Sequence, residues 1–268
     1  MNNIKKGTIV SRKSYNNDII FIVEDILNIN NKKIANLKGV TLRIKANAEL
    51  KDLLVLDKKI AKREEDKIDR EISNHIEENR DFFNKYFNVL TGRILHLDGD
   101  RKYAEKSMRY YKKMGLDAIV KNVPESKQPF VVGNLIRRYN PDVLVITGHD
   151  GMIRNGTGFT DIYNYKNSRH FINTVRVARE ESKGKDLVIF AGACQSFFEA
   201  IMDSGANFAS SPSRVLIDFM DPLIIAEKIA TTSEEKVVTM DEVSNILKDN
   251  YKRIGGRTSR GKRKKYTF

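Results

Sequence analysis

The sequence predicts an α/β protein: a parallel-sheet α/β domain preceded by a small all-β barrel of SH3-like size and a charged linker helix. Three observations predict it. Residues 143–147 and 187–191 are unbroken apolar runs, the kind that form strands buried on both faces. From Gly92 onward strand-like and helix-like patterns alternate, which argues for parallel strands joined by crossover helices. The first stretch, about 45 residues, holds instead a series of short β-branched or aromatic runs separated by turn residues.

In the amino-terminal part, strands are expected at 8–10, 19–23, 26–29, 33–37 and 41–44. The breaks between them are Ser14-Tyr15-Asn16-Asn17-Asp18, Asn30-Asn31 and Gly39. Strands this short and this closely spaced suit a small barrel over residues 1–57. Residues 58–91 change character: they are densely charged, and Ile60, Ile68, Ile72 and Ile76 recur at near-helical spacing. That pattern predicts a linker helix ending near Asn88. Residues 92–251 then read as the α/β domain. Its strands are expected at 94–97, 117–120, 143–147 and 187–191, with a short one at 207–209. Its helices are expected at 101–114, 130–139, 169–182, 197–204 and 222–231, with Gly115 as the cap of the first. Residues 252–268 are strongly basic, lack apolar periodicity and are expected to be a mobile extension.

Composition sets limits on function. Lys and Arg number 48 against 35 Asp and Glu, and the net charge of +13 favours acidic partners. Hydrophobic residues, at 40%, suffice for an ordinary core. No run approaches the ~18 apolar residues of a membrane span. The first residues also lack the apolar segment and cleavage site of a secretory signal. The chain is therefore expected to stay in the compartment where it is made. Its single cysteine, Cys194, excludes a disulfide framework and a multi-cysteine metal site.

Chemistry is expected where the two apolar strands end, because ligands collect at the carboxyl ends of parallel strands. One strand ends in Thr147-Gly148-His149-Asp150-Gly151, the other in Gly192-Ala193-Cys194-Gln195-Ser196. If the strands are neighbours, His149 can take the proton of the Cys194 thiol, giving a base and a nucleophile. The backbone amides of Gly151 and Cys194 are the expected oxyanion hole. A helix after Cys194 is expected to lower the thiol pKa further. No metal and no organic cofactor is required by such chemistry. A lone cysteine after an apolar strand is more often a core residue, and a histidine there is often a turn residue. The matched settings of the two outweigh those readings. His75, His96 and His170 have no comparable setting. Order then discriminates: papain-like enzymes and class I glutamine amidotransferases place cysteine before histidine. Here the histidine comes first by 45 residues, and in caspases it lies about 50 residues upstream. The pattern predicts a caspase-like endopeptidase.

Four segments together resemble the YabG family of sporulation-specific proteases from spore-forming bacteria. They are Gly7-Thr8-Ile9-Val10-Ser11-Arg12-Lys13-Ser14-Tyr15, Leu95-His96-Leu97-Asp98-Gly99-Asp100 and the two strand ends. The resemblance covers nearly the whole length. It implies a cysteine protease made in the mother-cell cytoplasm during sporulation and later associated with the spore coat. The implied substrates are spore coat and cortex-assembly proteins, cut after arginine, and self-processing is implied as well. His149 and Cys194 match the family's catalytic pair. Two departures from caspase-like enzymes stand out. Asp150 interrupts the usual His-Gly pair, and Gly192 stands where clostripain and the metacaspases have an aspartate two residues before the cysteine. An arginine pocket therefore needs an acid from elsewhere. Asp98 and Asp100 are the leading candidates, with Asp150 and Asp161 in reserve, since a carboxylate binds guanidinium in a two-pronged pair. Each equally suits a turn or a helix cap. Self-cleavage is expected in the charged linker and the basic tail.

A second reading is a basic nucleic-acid-binding module in which Cys194 is structural. The sequence has no helix-turn-helix pattern, no paired zinc ligands and no RNP-type aromatic strand, which argues against nucleic acid as a partner. A third is a thiol hydrolase with a nucleophile elbow, but Ser196 stands where that motif has glycine.

Overall fold

In the computed structural model, which describes residues 4–79, 90–153, 158–247 and 251–264, the amino-terminal part is an antiparallel sheet. Strands β1 (Ile9–Arg12), β2 (Phe21–Ile29), β3 (Lys32–Gly39), β4 (Lys45–Glu49) and β5 (Leu53–Val55) lie in the order β4-β3-β2-β1-β5. The strands expected at 19–23 and 26–29 are one strand. A register shift between Val23 and Asp25 absorbs an extra residue without ending the pairing. Asn30 and Asn31, both with positive φ, make the two-residue turn into β3. The strand expected at 41–44 starts only at Lys45, and the residues before it bend out of the sheet.

Helix α1 (Lys58–Glu78) starts at Asp57, whose side chain accepts from the Lys59 amide. Ala61, Ile68 and Ile72 form its buried face. It is docked rather than free: Lys106 reaches Asp69 at 2.6 Å, and His75 Nε2 lies 3.1 Å from Glu227. The expected end near Asn88 falls outside the described residues.

The second sheet holds β6 (Ile94–Asp98), β7 (Ala118–Asn122), β8 (Val143–Thr147), β9 (Val188–Ala191), β10 (Phe208–Ser210) and β12 (Ile254–Gly256). Its order is β12-β10-β9-β8-β6-β7. All neighbours are parallel except β12, which runs antiparallel to β10. Helices α2 (Arg101–Lys113), α3 (Gln128–Tyr139), α4 (Ser168–Glu181), α5 (Phe198–Asp203) and α6 (Asp221–Thr231) alternate with the strands, and α7 (Met240–Leu247) follows.

The period of two along each strand divides the core. Ile94, Val143, Val145, Val188 and Phe190 join the cluster that contains Val10, Phe21 and Ile44 of the amino-terminal part. Leu95, Leu97, Leu144, Ile146 and Ile189 pack instead against Val132, Ile136, Phe171 and Val175 of α3 and α4. All five β8 residues are buried on these two faces. Each fully buried Val, Leu or Ile contributes about 1.5–3 kcal/mol relative to exposure. The unbroken apolar run of β8 has that cause.

The carboxyl-terminal stretch, expected as a mobile extension, adds strands. Ile254–Gly256 forms the edge of the main sheet, and β13 (Ser259–Arg260) pairs with β11 (Val237–Val238). Backbone pairing and the burial of Ile254 hold residues that composition alone marks as unstructured. Among the described residues no helix is long and apolar enough to cross a membrane.

Candidate active site

Strands β8 and β9 are parallel neighbours with Ile146 opposite Ala191. His149 and Cys194 each stand three residues beyond that pair, at the same sheet edge. The turn into Cys194 is tight. Gly192 has φ +118, and a Cβ there would lie 2.3 Å from Ser210 Oγ. Only glycine fits without strain. The two loops are also tied together. The Asp150 carboxylate accepts from the Asn167 amide at 2.7 Å, the Gly151 amide at 2.9 Å, the Ser196 hydroxyl at 2.9 Å and the Ser168 hydroxyl.

His149 and Cys194 are both buried. The imidazole stacks on Tyr103, with ring centroids 5.5 Å apart, and its backbone amide donates to Glu125 at 2.7 Å. Among the described residues, Nε2 has no hydrogen-bond partner. The Cys194 thiol donates to the Ile217 carbonyl at 3.7 Å and accepts from its amide at 3.3 Å. Among the described residues, no hydrogen bond joins the two side chains. Burial pushes the Cys194 thiol up to about 12, opposite to the lowering expected from a helix terminus. That helix, α5, begins only at Phe198 and is 6 residues long. Burial likewise drives His149 down to about 3, partly opposed by Asp100. Thiol and imidazole are therefore both neutral.

One residue that sequence reasoning passed over occupies this edge. Arg43, fully buried, comes from the bend between β3 and β4. Its carbonyl oxygen accepts from the Cys194 amide at 3.2 Å and from the Asp150 amide at 3.1 Å. Its guanidinium Nη1 donates to Asp98 Oδ2 at 2.7 Å, and its Cζ lies 4.7 Å from the Tyr103 ring centroid and 5.4 Å from that of Phe219. The chain continues past the site as a strand. Ile44 bridges to Asp150 in parallel, and the Lys45 amide donates to the Asp150 carbonyl at 2.6 Å. Gly151 leaves room for that passage, since a Cβ would lie 2.1 Å from the Lys45 carbonyl oxygen.

The expected site residues sort accordingly. Asp98, at the end of β6, holds Arg43, though through a single nitrogen rather than a two-pronged pair. It is set by Thr147, whose hydroxyl donates to Oδ2 at 3.0 Å, and by the Asp100 amide on Oδ1. His96 lies behind Thr147 at 2.7 Å, kept neutral by burial and by Arg43. Asp100 takes a different cation, Lys38 at 2.8 Å, and caps α2 through the Tyr103 amide. Asp150 has its carboxylate filled by neutral donors, so it does not face a guanidinium. Asp161 accepts from the Tyr163 amide in a surface turn. Gly151, expected as an oxyanion donor, gives its N–H to the Asp150 side chain, and the amide of Asp150 converges with that of Cys194 on one oxygen. Among the described residues, no three His, Cys, Asp or Glu side chains are grouped to hold a metal ion.

The family model of the YabG peptidases (peptidase U57) matches residues 5–267. The chain belongs to the YabG peptidase family. It is 35% identical over 274 residues to the sporulation-specific protease YabG of Bacillus subtilis (strain 168), covering 95% of this chain and 94% of that protein. No solved structure matches it. Family membership makes the convergence of His149, Cys194 and an arginine at one sheet edge the natural place to look for peptidase chemistry.

Proposed function

We propose that this chain is a sporulation cysteine endopeptidase that cleaves on the carboxyl side of arginine. The observation that carries the reading is the posture of Arg43. Its carbonyl oxygen sits between two backbone amides, and its guanidinium rests on a buried carboxylate beside two aromatic rings. That is the posture an arginyl substrate must take for attack by an adjacent thiol.

In this mechanism Cys194 is the nucleophile and His149 the proton carrier. Both start neutral, so the imidazole takes the thiol proton as the sulfur attacks, rather than from a preformed thiolate. The amides of Cys194 and Asp150 receive the developing oxyanion, and losing one such donor typically costs ~10²–10³ in kcat. Asp98, with Tyr103 and Phe219, selects arginine through charge and stacking. Asp150 is a positioning residue: its carboxylate holds the His149 loop against Ser196 of the cysteine loop. His149 then protonates the leaving amine, and water releases the acyl group.

The strand order β4-β3-β2-β1-β5 supports reading residues 1–57 as an open SH3-like barrel. The histidine-then-cysteine arrangement on adjacent parallel strands supports a caspase-like protease domain. Spore coat and cortex-assembly proteins are the proposed substrates, and the mother cell and then the coat the proposed locations. The name of the Bacillus subtilis relative, a sporulation-specific protease, supports the sporulation setting.

The test compares purified wild type, Cys194→Ala and His149→Ala on arginine-containing peptides and one spore coat protein. Cuts after arginine by wild type alone are expected. Equal activity of wild type and Cys194→Ala would overturn the reading.

A further inference from the structure

We propose that Arg43–Ile44 is the enzyme's own first scissile bond, cut within the same molecule, and that until it is cut this segment keeps other substrates out. The inference rests on the cysteine-protease reading above and names the peptide that fills that site in the intact chain.

The occupant is bound as a substrate is, at both backbone and side chain. Two amides from different loops, Cys194 and Asp150, meet on the Arg43 carbonyl oxygen. Asp98 holds the side chain at the bottom of a fully enclosed pocket. On the other side of the bond, Ile44 and Lys45 pair with Asp150 in strand fashion, which fixes the leaving segment. A basic residue folded inward for stability alone has no need of two amides on its own carbonyl. Positioning of this kind makes an intramolecular reaction fast, because the translational and rotational cost has already been met by folding.

The step balances as an ordinary acyl transfer. The Cys194 proton passes to His149, and the sulfur forms a bond to the Arg43 carbonyl carbon. The displaced electron pair rests on the oxygen between the two amides. On collapse, the bond from that carbon to the Ile44 nitrogen breaks, and His149 delivers its proton to the new amine. Water then attacks the thioester, giving its proton to His149. The carbon–sulfur bond breaks, the thiol is restored from His149, and Arg43 is left with a carboxylate. The two pieces, 1–43 and 44–268, remain joined by the β3–β4 and β1–β5 pairings. With the covalent link gone, Ile44 is free to leave the site and Arg43 is held as a product rather than as part of a continuous chain.

The experiment follows the full-length chain by intact mass and amino-terminal sequencing, alongside cleavage of an arginyl peptide. Wild type is expected to yield a new terminus at Ile44, with both pieces eluting together in gel filtration and the rate independent of protein concentration. Cys194→Ala is expected to stay whole, even when mixed with active wild type, because its Arg43 lies in its own site. Arg43→Lys keeps a cation on Asp98, so it tests the bond without emptying the pocket. It is expected to nick more slowly, on the order of tenfold, since lysine does not replace a stacked guanidinium. Wild type that cleaves the peptide yet stays whole at this bond overturns the inference and leaves the proposed function standing. Cutting of Cys194→Ala at Ile44 by added wild type overturns the intramolecular route. Wild type that cleaves neither overturns the proposed function, and this inference with it.

Discussion

Ser196 Oγ donates to Asp150 Oδ2 at 2.9 Å, joining the residue after His149 to the residue two places beyond Cys194. The contact ties the His149 loop to the Cys194 loop without touching either of those side chains. Asp150→Ala removes the acceptor for four donors at once. It is expected to lower kcat by about 10²-fold, with KM for an arginyl peptide little changed, because misplacing reacting groups by about 1 Å costs that much. Ser196→Ala removes one link and is expected to lose less. Steady-state kinetics on both variants decide it, and an Asp150→Ala loss confined to KM would contradict a positioning role.

Asp98 and Arg43 form a fully buried ion pair. Removing one partner strands the other, at a cost of about 3–5 kcal/mol, whereas replacing both with apolar residues of similar volume is often neutral. Asp98→Ala is therefore expected to lower the melting temperature sharply and abolish cleavage after arginine. The double variant Asp98→Leu/Arg43→Met is expected to recover the stability and not the activity. Thermal denaturation of single and double variants measures the recovery.

The pH dependence follows from two buried groups acting at opposite ends of the scale. The Cys194 pKa is raised by burial from 9.0 to about 12. Its contribution to stability is complete below pH 9 and lost as pH rises toward 12. The His149 pKa is lowered from 6.5 to about 3 by burial, with Asp100 and Asp98 opposing and Lys38 and Arg43 assisting. Its contribution is complete above pH 6.5 and lost as pH falls toward 3. Cys194→Ala, which keeps the histidine, should lose stability faster than His149→Ala in acid. His149→Ala, which keeps the thiol, should lose it faster in alkali. Melting curves from pH 4 to 10 should cross; parallel curves would refute the assignment.

Gly192→Ala should be costly out of proportion to its size. A residue with a Cβ at φ +118 pays about 1–3 kcal/mol in backbone strain, and the Cβ would also meet Ser210 Oγ. Denaturant titration should show a lower midpoint with an unchanged slope, and activity should fall with it because the turn aims Cys194.

Truncation after residue 251 tests the edge strand. It removes Ile254–Gly256 from β10 and exposes the pairing edge of a buried strand. The shortened chain is expected to aggregate or melt well below the full-length protein; unchanged stability would mean that β12 contributes nothing.

Much of the main sheet was legible in the sequence. The apolar runs at 143–147 and 187–191 can only be satisfied by burial on both faces, so β8 and β9, and with them His149 and Cys194, were placed almost to the residue. The expected strand at 94–97 likewise became β6, ending one residue later at Asp98. What escaped was what depends on long-range contact. Arg43 lies in a bend with no local signal, and its neighbours across the site are 55 and more residues away. A buried arginine is rare, but nothing in its local sequence marks it as buried. Glu125, which accepts from the His149 amide, was hidden for the same reason. The strands of 254–260 were missed because glycine and arginine carry little β-propensity, and their pairing partners supply the order. The Asp150 side chain captures the Gly151 amide, and the amide of Asp150 itself meets the Arg43 carbonyl, a local exchange that spacing alone does not register.

The order of the elements along the chain has a consequence for synthesis. Chains fold from the amino terminus as they emerge from the ribosome, and the antiparallel sheet of residues 9–55, which carries Arg43, is translated before β8 and β9. That sheet can form while the strands that bear His149 and Cys194 are still to be made. The candidate site is therefore assembled around a segment that is already there.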